Sequence, residues 1–374
     1  MKPKIILALN STWNLINFRL NLVKALVATG YDVTIVAPFD KHTNQLSILN
    51  VKFISLSIDK QGTNPIKDFI LLLRYWKLLK SEKPAIFLGY TIKPNIYGSL
   101  AAHFLNVPVI NNITGLGTTF IKQSWITILA RYLYRASLTR SVKVFFQNHS
   151  DSQLFIEKNL VTLKAIDQLP GSGIDLKKFY FCSDTSKYNI GSSMRFLLIA
   201  RMLWDKGVKE YVEAARLVHH YHPNVKFSLL GFLDLDNPSA VSKKQIDKWV
   251  TEGVVSYLGK TDDVRTDIIK ADCVVLPSYR EGTSRALLEA AAIGRPIITT
   301  NVPGCRNIVD HNMNGYLCEP HNINDLAEKI LQMIGLSINK RIKMSYYGRK
   351  KIEKEFDEKI VISKYLKTIN EIIS

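Results

Sequence analysis

Short apolar runs alternate with amphipathic segments along this chain. Residues 4–9 form an apolar run, residues 20–29 place apolar positions at helical spacing and close on Gly30, and residues 32–37 form a second run. A run apolar at nearly every position belongs to a strand covered on both faces, and the helical segments between such runs supply the cover. This is the βαβ rhythm of a parallel sheet, so the pattern predicts an α/β fold. It pauses near 170–192, where Gly171-Ser172-Gly173 and a polar stretch intervene, then resumes at Met194 with a strand over 196–200. A last helical pattern covers 357–373. The expected organisation is a domain over 1–170, a second over 171–355 and a terminal helix over 356–374. At 374 residues and 47% hydrophobic content the chain is long enough for two cores.

Two of the predicted strand-to-helix junctions carry residues suited to chemistry. A strand over 273–278 leads into Glu281-Gly282-Thr283-Ser284-Arg285-Ala286-Leu287-Leu288-Glu289, and the helix that follows stops before Gly294. Open parallel sheets bind ligands at the carboxyl ends of their strands, and a helix start offers N–H groups and partial positive charge to a phosphate. The spacing predicts Glu281 before the helix and Glu289 about two turns inside it. The first suits sugar hydroxyls and the second a ribose diol. After 196–200 comes Arg201-Met202-Leu203-Trp204-Asp205-Lys206-Gly207-Val208, in which a planar guanidinium and an ammonium can clamp a diphosphate. Each glutamate, taken singly, also fits a helix-terminal charge or a solvated face.

In these residues the chain resembles the retaining glycosyltransferases of family 4, of GT-B architecture. The resemblance rests on Arg201/Lys206, the Glu281/Glu289 pair, Gly294-Arg295-Pro296-Ile297 and Val302-Pro303-Gly304-Cys305-Arg306. The amino-terminal half adds Ser11-Thr12-Trp13-Asn14-Leu15-Ile16-Asn17-Phe18-Arg19, Gly62-Thr63-Asn64-Pro65, Tyr90-Thr91-Ile92-Lys93-Pro94-Asn95-Ile96-Tyr97-Gly98 and Asn112-Ile113-Thr114-Gly115-Leu116-Gly117. These are similar to a bacterial subgroup that adds N-acetylhexosamines to undecaprenyl-diphosphate-linked saccharides.

The resemblance implies two Rossmann-like domains facing across a cleft, with the C-terminal helix crossing back to the first. It implies acceptor binding by 1–170 and nucleotide-sugar binding by 171–355. It assigns catalysis to Arg201, Lys206 and Glu281, and donor binding to Gly282, Thr283, Ser284, Leu288 and Glu289. Acceptor contacts fall to Asn14, Arg19, Lys93, Asn95 and Thr114. The implied partners are a UDP-sugar donor and a polyprenyl-diphosphate-linked saccharide, with neither metal nor cofactor. A UDP-sugar 2-epimerase of the same fold and a non-catalytic sugar-nucleotide-binding protein remain alternatives.

Departures from the family pattern are Ser11-Thr12-Trp13-Asn14, where many members have a glycine pair, and Asn112 to Gly117, where many have a histidine. No catalytic base is named by the sequence; His149, after a strand-like run, could reach the cleft, but its position alone favours a plain loop histidine. Asp234-Leu235-Asp236 matches a metal-binding D-x-D pattern, but Leu229-Leu230-Gly231-Phe232 before it and Asn237-Pro238 after it suggest an exposed loop.

Net charge is +18; residues 1–170 hold 20 Lys+Arg against 8 Asp+Glu, and residues 171–374 hold 30 against 24. Within the basic half, 66–83 and 121–143 combine interfacial aromatics, Trp76 and Trp125 among them, with lysines and arginines. Such segments suit an anionic membrane surface and equally suit ordinary helices with solvated faces. Dispersed cations and the lack of any nucleic-acid-binding motif argue against nucleic acid as a partner. Cys182, Cys273, Cys305 and Cys318 show no pairing pattern. With no leader-like start and no run of about 18 apolar residues, the expectation is a cytoplasmic protein, peripheral on the inner face of the bacterial plasma membrane.

Overall fold

The structure is a computed structural model that describes residues 2–59, 62, 64–115, 125–182, 193–235 and 237–374. The chain divides into two compact units, one of Met1–Gly173 with Lys359–Ser374 and the other of Ile174–Glu358.

In the first unit β1 (Lys4–Ala8), β2 (Asp32–Ala37), β3 (Lys52–Ser55), β4 (Ile86–Tyr90), β5 (Val109–Ile113), β6 (Lys143–Phe146) and β7 (Ile166–Gln168) form a sheet in the order β3-β2-β1-β4-β5-β6-β7. Every pairing is parallel. Ile5, Ile6 and Leu7 are fully buried, as a strand covered on both faces requires. The cover comes from α1 (Thr12–Phe18), α2 (Leu20–Ala28), α3 (Pro65–Glu82), α4 (Ser99–Phe104), α5 (Trp125–Leu138) and α6 (His149–Glu157). Asn64 starts α3 by accepting from the backbone N–H groups of Ile66 and Lys67, with Pro65 in the first turn, where its missing N–H has no intrahelical use.

The second unit repeats the plan. β8 (Arg195–Ile199), β9 (Lys226–Leu230), β10 (Ser256–Tyr257), β11 (Cys273–Leu276), β12 (Ile297–Thr300) and β13 (Gly315–Cys318) run in the order β10-β9-β8-β11-β12-β13, again all parallel. Its helices are α7 (Val208–Tyr221), α8 (Lys243–Thr251), α9 (Arg265–Lys270), α10 (Arg285–Ile293), α11 (Ile323–Ile334) and α12 (Ile338–Glu355). The last helix, α13 (Glu358–Ile373), returns to the first unit and buries Val361, Tyr365 and Ile369 in the core that holds Ile5, Leu7 and Tyr90. Asn112 fastens it by donating its Nδ2 to the Tyr365 hydroxyl at 2.8 Å.

In each sheet the chain reverses its direction of travel once, between β1 and β4 in the first and between β8 and β11 in the second. Loops leaving the carboxyl ends of two such strands part to opposite sides and leave a crevice between them.

Candidate functional site

The crevice of the second unit is bounded by the β8 turn and the β11 turn. Residues Trp204–Lys206 make one 3₁₀ turn after β8, and Gly207 follows with φ 69°. A Cβ at Gly207 would lie 2.1 Å from the Pro277 carbonyl oxygen, so only glycine lets this turn rest on the end of β11. Tyr279 N–H donates to the Asp205 carbonyl at 2.9 Å, and the Ser278 hydroxyl reaches the same oxygen at 3.2 Å. With the two turns tied, Lys206 Nζ meets Glu281 Oε1 at 2.6 Å, and Ser278 donates to that oxygen at 3.0 Å. Beside them Tyr279 donates to Glu210 at 2.8 Å and packs its ring on His321, and burial pushes its hydroxyl well above the usual tyrosine range.

A third turn closes the site. Gly304, at φ 78°, sits so close that a Cβ would lie 2.4 Å from the Glu281 carbonyl oxygen and 2.5 Å from that of Gly282. Glu281 N–H donates to the Pro303 carbonyl, and Ser284 N–H to that of Gly304 at 3.0 Å. Ser284 is the N-cap of α10 and makes no side-chain cap bond, and the helix presents the positive end of its dipole there. Gly282 is buried and Thr283 half-buried.

Glu289 is the fifth residue of α10, a little over one turn inside rather than about two, because the helix starts only at Arg285. Its Oε1 accepts from Arg285 Nε at 2.8 Å. Burial raises the Glu289 carboxyl above its ordinary value, and the attraction of Arg285 offsets this only in part. Leu288 is fully buried, and its side chain belongs to the core under the helix rather than to the surface of the turn.

Arg201, half-exposed, pairs with a different carboxylate, with Nη1 donating to Asp234 at 2.9 Å. Asp234 is therefore no bare loop residue: the side chain keeps 15% of its surface and neutralises the arginine. Among the described residues no group of three or more His, Cys, Asp or Glu is placed to hold a metal ion.

In the first unit, α1 begins after β1, where a nucleotide fold would offer its helix start to phosphate, but Asp40 already occupies that start. The carboxylate accepts from Thr12 N–H at 3.0 Å, Trp13 N–H at 3.3 Å, His42 N–H at 2.9 Å and the Thr12 hydroxyl. Burial acts to raise the Asp40 carboxyl, yet these bonds hold it below the usual carboxylate range. This explains how the chain does without a glycine pair: the α1 start is closed by its own carboxylate. Asn14 is half-buried in α1. Arg19 keeps only 3% of its surface, donates to the Phe18 carbonyl at 2.9 Å and stacks on Tyr90 at 4.9 Å.

Lys93 and Asn95 follow β4 on a strained path. Thr91 has φ 65°, unusual for a β-branched residue, and Pro94–Gly98 forms a π turn, a combination found at functional sites. Lys93 ion-pairs with Asp68 at 2.5 Å with 12% of its side chain exposed. Asn95 is 1% exposed; it donates to the Asn112 carbonyl and accepts from Asn111, both at 2.9 Å, which makes it part of the core. Thr114 is exposed just beyond β5, and His149 is the exposed first residue of α6, bonded to Gln168. Leu116, Gly117, Lys122, Thr63 and Asp236 lie outside the described residues, as do the side chains of Trp125 and Ile126.

Sequence reasoning missed Gly207, Ser278, Tyr279 and Asp40. A glycine immediately before the α7 pattern was a signal for the first. Tyr279 is tied to Asp205 and Glu210, and Asp40 to Thr12 and Trp13, by contacts remote in sequence that no local pattern carries, whereas Ser278 reaches Glu281 only three positions on and is hidden by its place at the end of a strand-like run.

A family model described as glycosyl transferases group 1 matches residues 186–351, and one described as glycosyl transferase 4-like matches residues 4–148. The N,N'-diacetylbacillosaminyl-diphospho-undecaprenol alpha-1,3-N-acetylgalactosaminyltransferase of Campylobacter jejuni is 29% identical over 96% of both chains. The UDP-Gal:alpha-D-GlcNAc-diphosphoundecaprenol alpha-1,3-galactosyltransferase of Escherichia coli is 27% identical over 72% of this chain and 71% of its own. Among solved structures, Anabaena HepE in complex with UDP and glucose matches with a TM-score of 0.81 at 17% identity, covering 99% of this chain and all of that one. A Rickettsia africae glycosyltransferase matches at 0.77 and 18% identity, covering 100% and 99%. These structural likenesses are likenesses of fold.

Proposed function

This chain belongs to the GT-B glycosyltransferases of family 4, and we propose that it moves an N-acetylhexosamine-type sugar from a UDP donor to a saccharide carried on a polyprenyl diphosphate. The observation that carries this reading is the meeting of Lys206 and Glu281 across the β8/β11 crevice, at the start of α10. That position favours a diphosphate beside a polyhydroxyl group. The names of the Campylobacter and Escherichia coli relatives, both acting on diphospho-undecaprenol-linked sugars, support the acceptor class.

In this reading the bond from the anomeric carbon to the diphosphate oxygen breaks, and its electron pair leaves with UDP. Lys206 and Arg201 exchange their carboxylate partners for the diphosphate and stabilise the charge that grows on it, with the start of α10 assisting. Glu281, released from Lys206, holds hydroxyls of the donor sugar. Gly282, Thr283 and Ser284 orient the donor, and Glu289 accepts from the ribose diol. The acceptor hydroxyl attacks the face the leaving group vacates, so configuration is retained, and its proton passes to the departing phosphate oxygen. No metal is needed, since side chains and helix dipole supply the positive charge.

Asn14, Arg19 and Thr114, around the carboxyl edge of the first sheet, bind the acceptor, and Lys93 joins them when it leaves Asp68. Such an acceptor is anchored in a bilayer, so the enzyme works as a peripheral protein on the inner face of the bacterial plasma membrane, in O-antigen, capsule or glycan assembly. Incubation of a UDP-sugar with and without a lipid-linked acceptor tests the reading: UDP release must depend on the acceptor, whereas an epimerase alters the sugar alone.

A further inference from the structure

α3 has two opposed apolar faces, and only one of them is used by the fold. Leu71, Tyr75, Leu78 and Leu79 are buried in the first unit. On the other side Ile66 is 71% exposed, Phe69 59%, Ile70 41%, Leu73 49% and Trp76 38%. At 3.6 residues per turn these five fall within an arc of about 120°. That is a continuous outward stripe, far from the scattered single apolar residues of an ordinary surface.

The charges on this helix are sorted the same way. Its two acids point inward and are neutralised, Asp68 by Lys93 with a hydrogen bond from the Tyr97 hydroxyl, and Glu82 by Lys4 and Lys52. Arg74 stays exposed beside the stripe, and the exposed Lys77 and Lys80 continue its arc toward the end of the helix, with Lys80 4.7 Å over the Trp76 ring. The same sorting continues along the chain: residues 83–150 contain no Asp or Glu at all and seven Lys or Arg. The Pro94–Gly98 turn packs on both α3 and α5, which places the exposed Ile128, Leu129 and Tyr132 of α5 on the same face of the sheet.

We propose that this face of the first unit, with α3 as its main element, docks on an anionic lipid bilayer. Aliphatic side chains in a stripe bordered by cations suit acyl chains beneath anionic headgroups. A second copy of the same face is disfavoured because its cations repel. Nucleic acid offers no partner for Ile66, Ile70 and Leu73. Among the described residues no helix is long and apolar enough to cross a membrane, so the contact is one of a surface. Asp68 links the docking helix to Lys93, which lies on the loop that the functional reading gives to the acceptor. The inference adds to that reading the means by which a lipid-anchored substrate is met, but lipid binding is measured without any substrate.

The test is cosedimentation of the full chain with vesicles of equal parts phosphatidylglycerol and phosphatidylcholine, and with phosphatidylcholine alone. Wild type is expected on the anionic vesicles and to be released by high salt. Phe69→Ser/Leu73→Ser/Trp76→Ser should lower the partition coefficient at least roughly tenfold, as the loss of inserted apolar area requires. Lys77→Glu/Lys80→Glu, on exposed positions that leave the fold intact, should lower it by a similar factor at low salt only. Both variants should melt like wild type and transfer sugar normally to a short, water-soluble acceptor. Wild-type-like partitioning of both variants overturns the proposal. So does equal binding to neutral vesicles, or retention of a random DNA duplex in place of vesicles. Failure of transfer to any acceptor, with lipid binding as expected, removes the functional reading and leaves the docking face standing.

Discussion

Lys206 and Glu281, 75 residues apart in sequence, meet at 2.6 Å with 14% and 17% of their side chains exposed. An ion pair this sheltered forms where two turns are held in register, and here Gly207 and Gly304 permit the close approach. Removing one partner leaves the other charge sheltered and uncompensated, which is the expensive case for a buried pair.

Lys206→Ala is therefore expected to lower stability by about 2–4 kcal/mol. It should reduce turnover by roughly 100-fold or more, while UDP affinity changes much less, since the charge it stabilises grows during bond cleavage. Adding Glu281→Ala should recover part of the stability and none of the activity. Steady-state kinetics, calorimetric UDP titration and chemical denaturation of the single and double variants check this; unchanged turnover in Lys206→Ala removes the diphosphate assignment.

Glu289 gives a pH signature. Its folded carboxyl titrates above the ordinary 4.5 because it is buried. The folded state then holds a proton that the unfolded state has lost, so the contribution to stability is full below pH 4.5 and disappears as pH rises through the raised value. Glu289→Gln should lose this part of the pH dependence of melting. The ionised carboxylate is the better acceptor for a ribose diol, so wild-type UDP affinity should fall on acidification relative to the Gln variant. Parallel titration curves for the two proteins exclude the ribose contact.

How much of this was legible in the sequence follows from how local each feature is. β2, at 32–37, and the helix ending before Gly294 were readable because a doubly covered strand is apolar at most positions, here Val33 and Ile35–Ala37, and Gly294 ends α10 in the left-handed region, at φ 93°. α1 was not readable: Thr12–Phe18 has only seven residues, too few for a helical period, and beside its local cap by Ser11 its start is held by Asp40, 28 positions beyond Thr12. The spacing places Glu281 before a helix, as the structure does, but starts that helix ahead of Arg285, which puts Glu289 a turn too deep. The Lys206–Glu281 and Arg201–Asp234 pairs join separate loops of the sheet, so residue spacing carried no trace of either.

Asp234 illustrates the consequence. A bare loop residue would make Asp234→Asn silent. Held at 2.9 Å from Arg201, it restrains the guanidinium instead. The substitution should thus alter UDP affinity, by roughly two- to fivefold for a half-exposed pair, and leave activity insensitive to excess EDTA in both proteins. Activity lost in EDTA and restored by magnesium or manganese would contradict the metal-free chemistry.

Sugar transfer from UDP to a polyprenyl-diphosphate-linked saccharide changes the mass of the acceptor. The most direct measurement offers a panel of UDP-sugars to undecaprenyl-diphosphate-linked acceptors and follows the acceptor mass. One donor, an N-acetylhexosamine type, is expected to add a single sugar to the acceptor with stoichiometric release of UDP, in a linkage that keeps the donor's anomeric configuration. An acceptor unchanged in mass while the UDP-sugar is isomerised or merely bound would contradict sugar transfer.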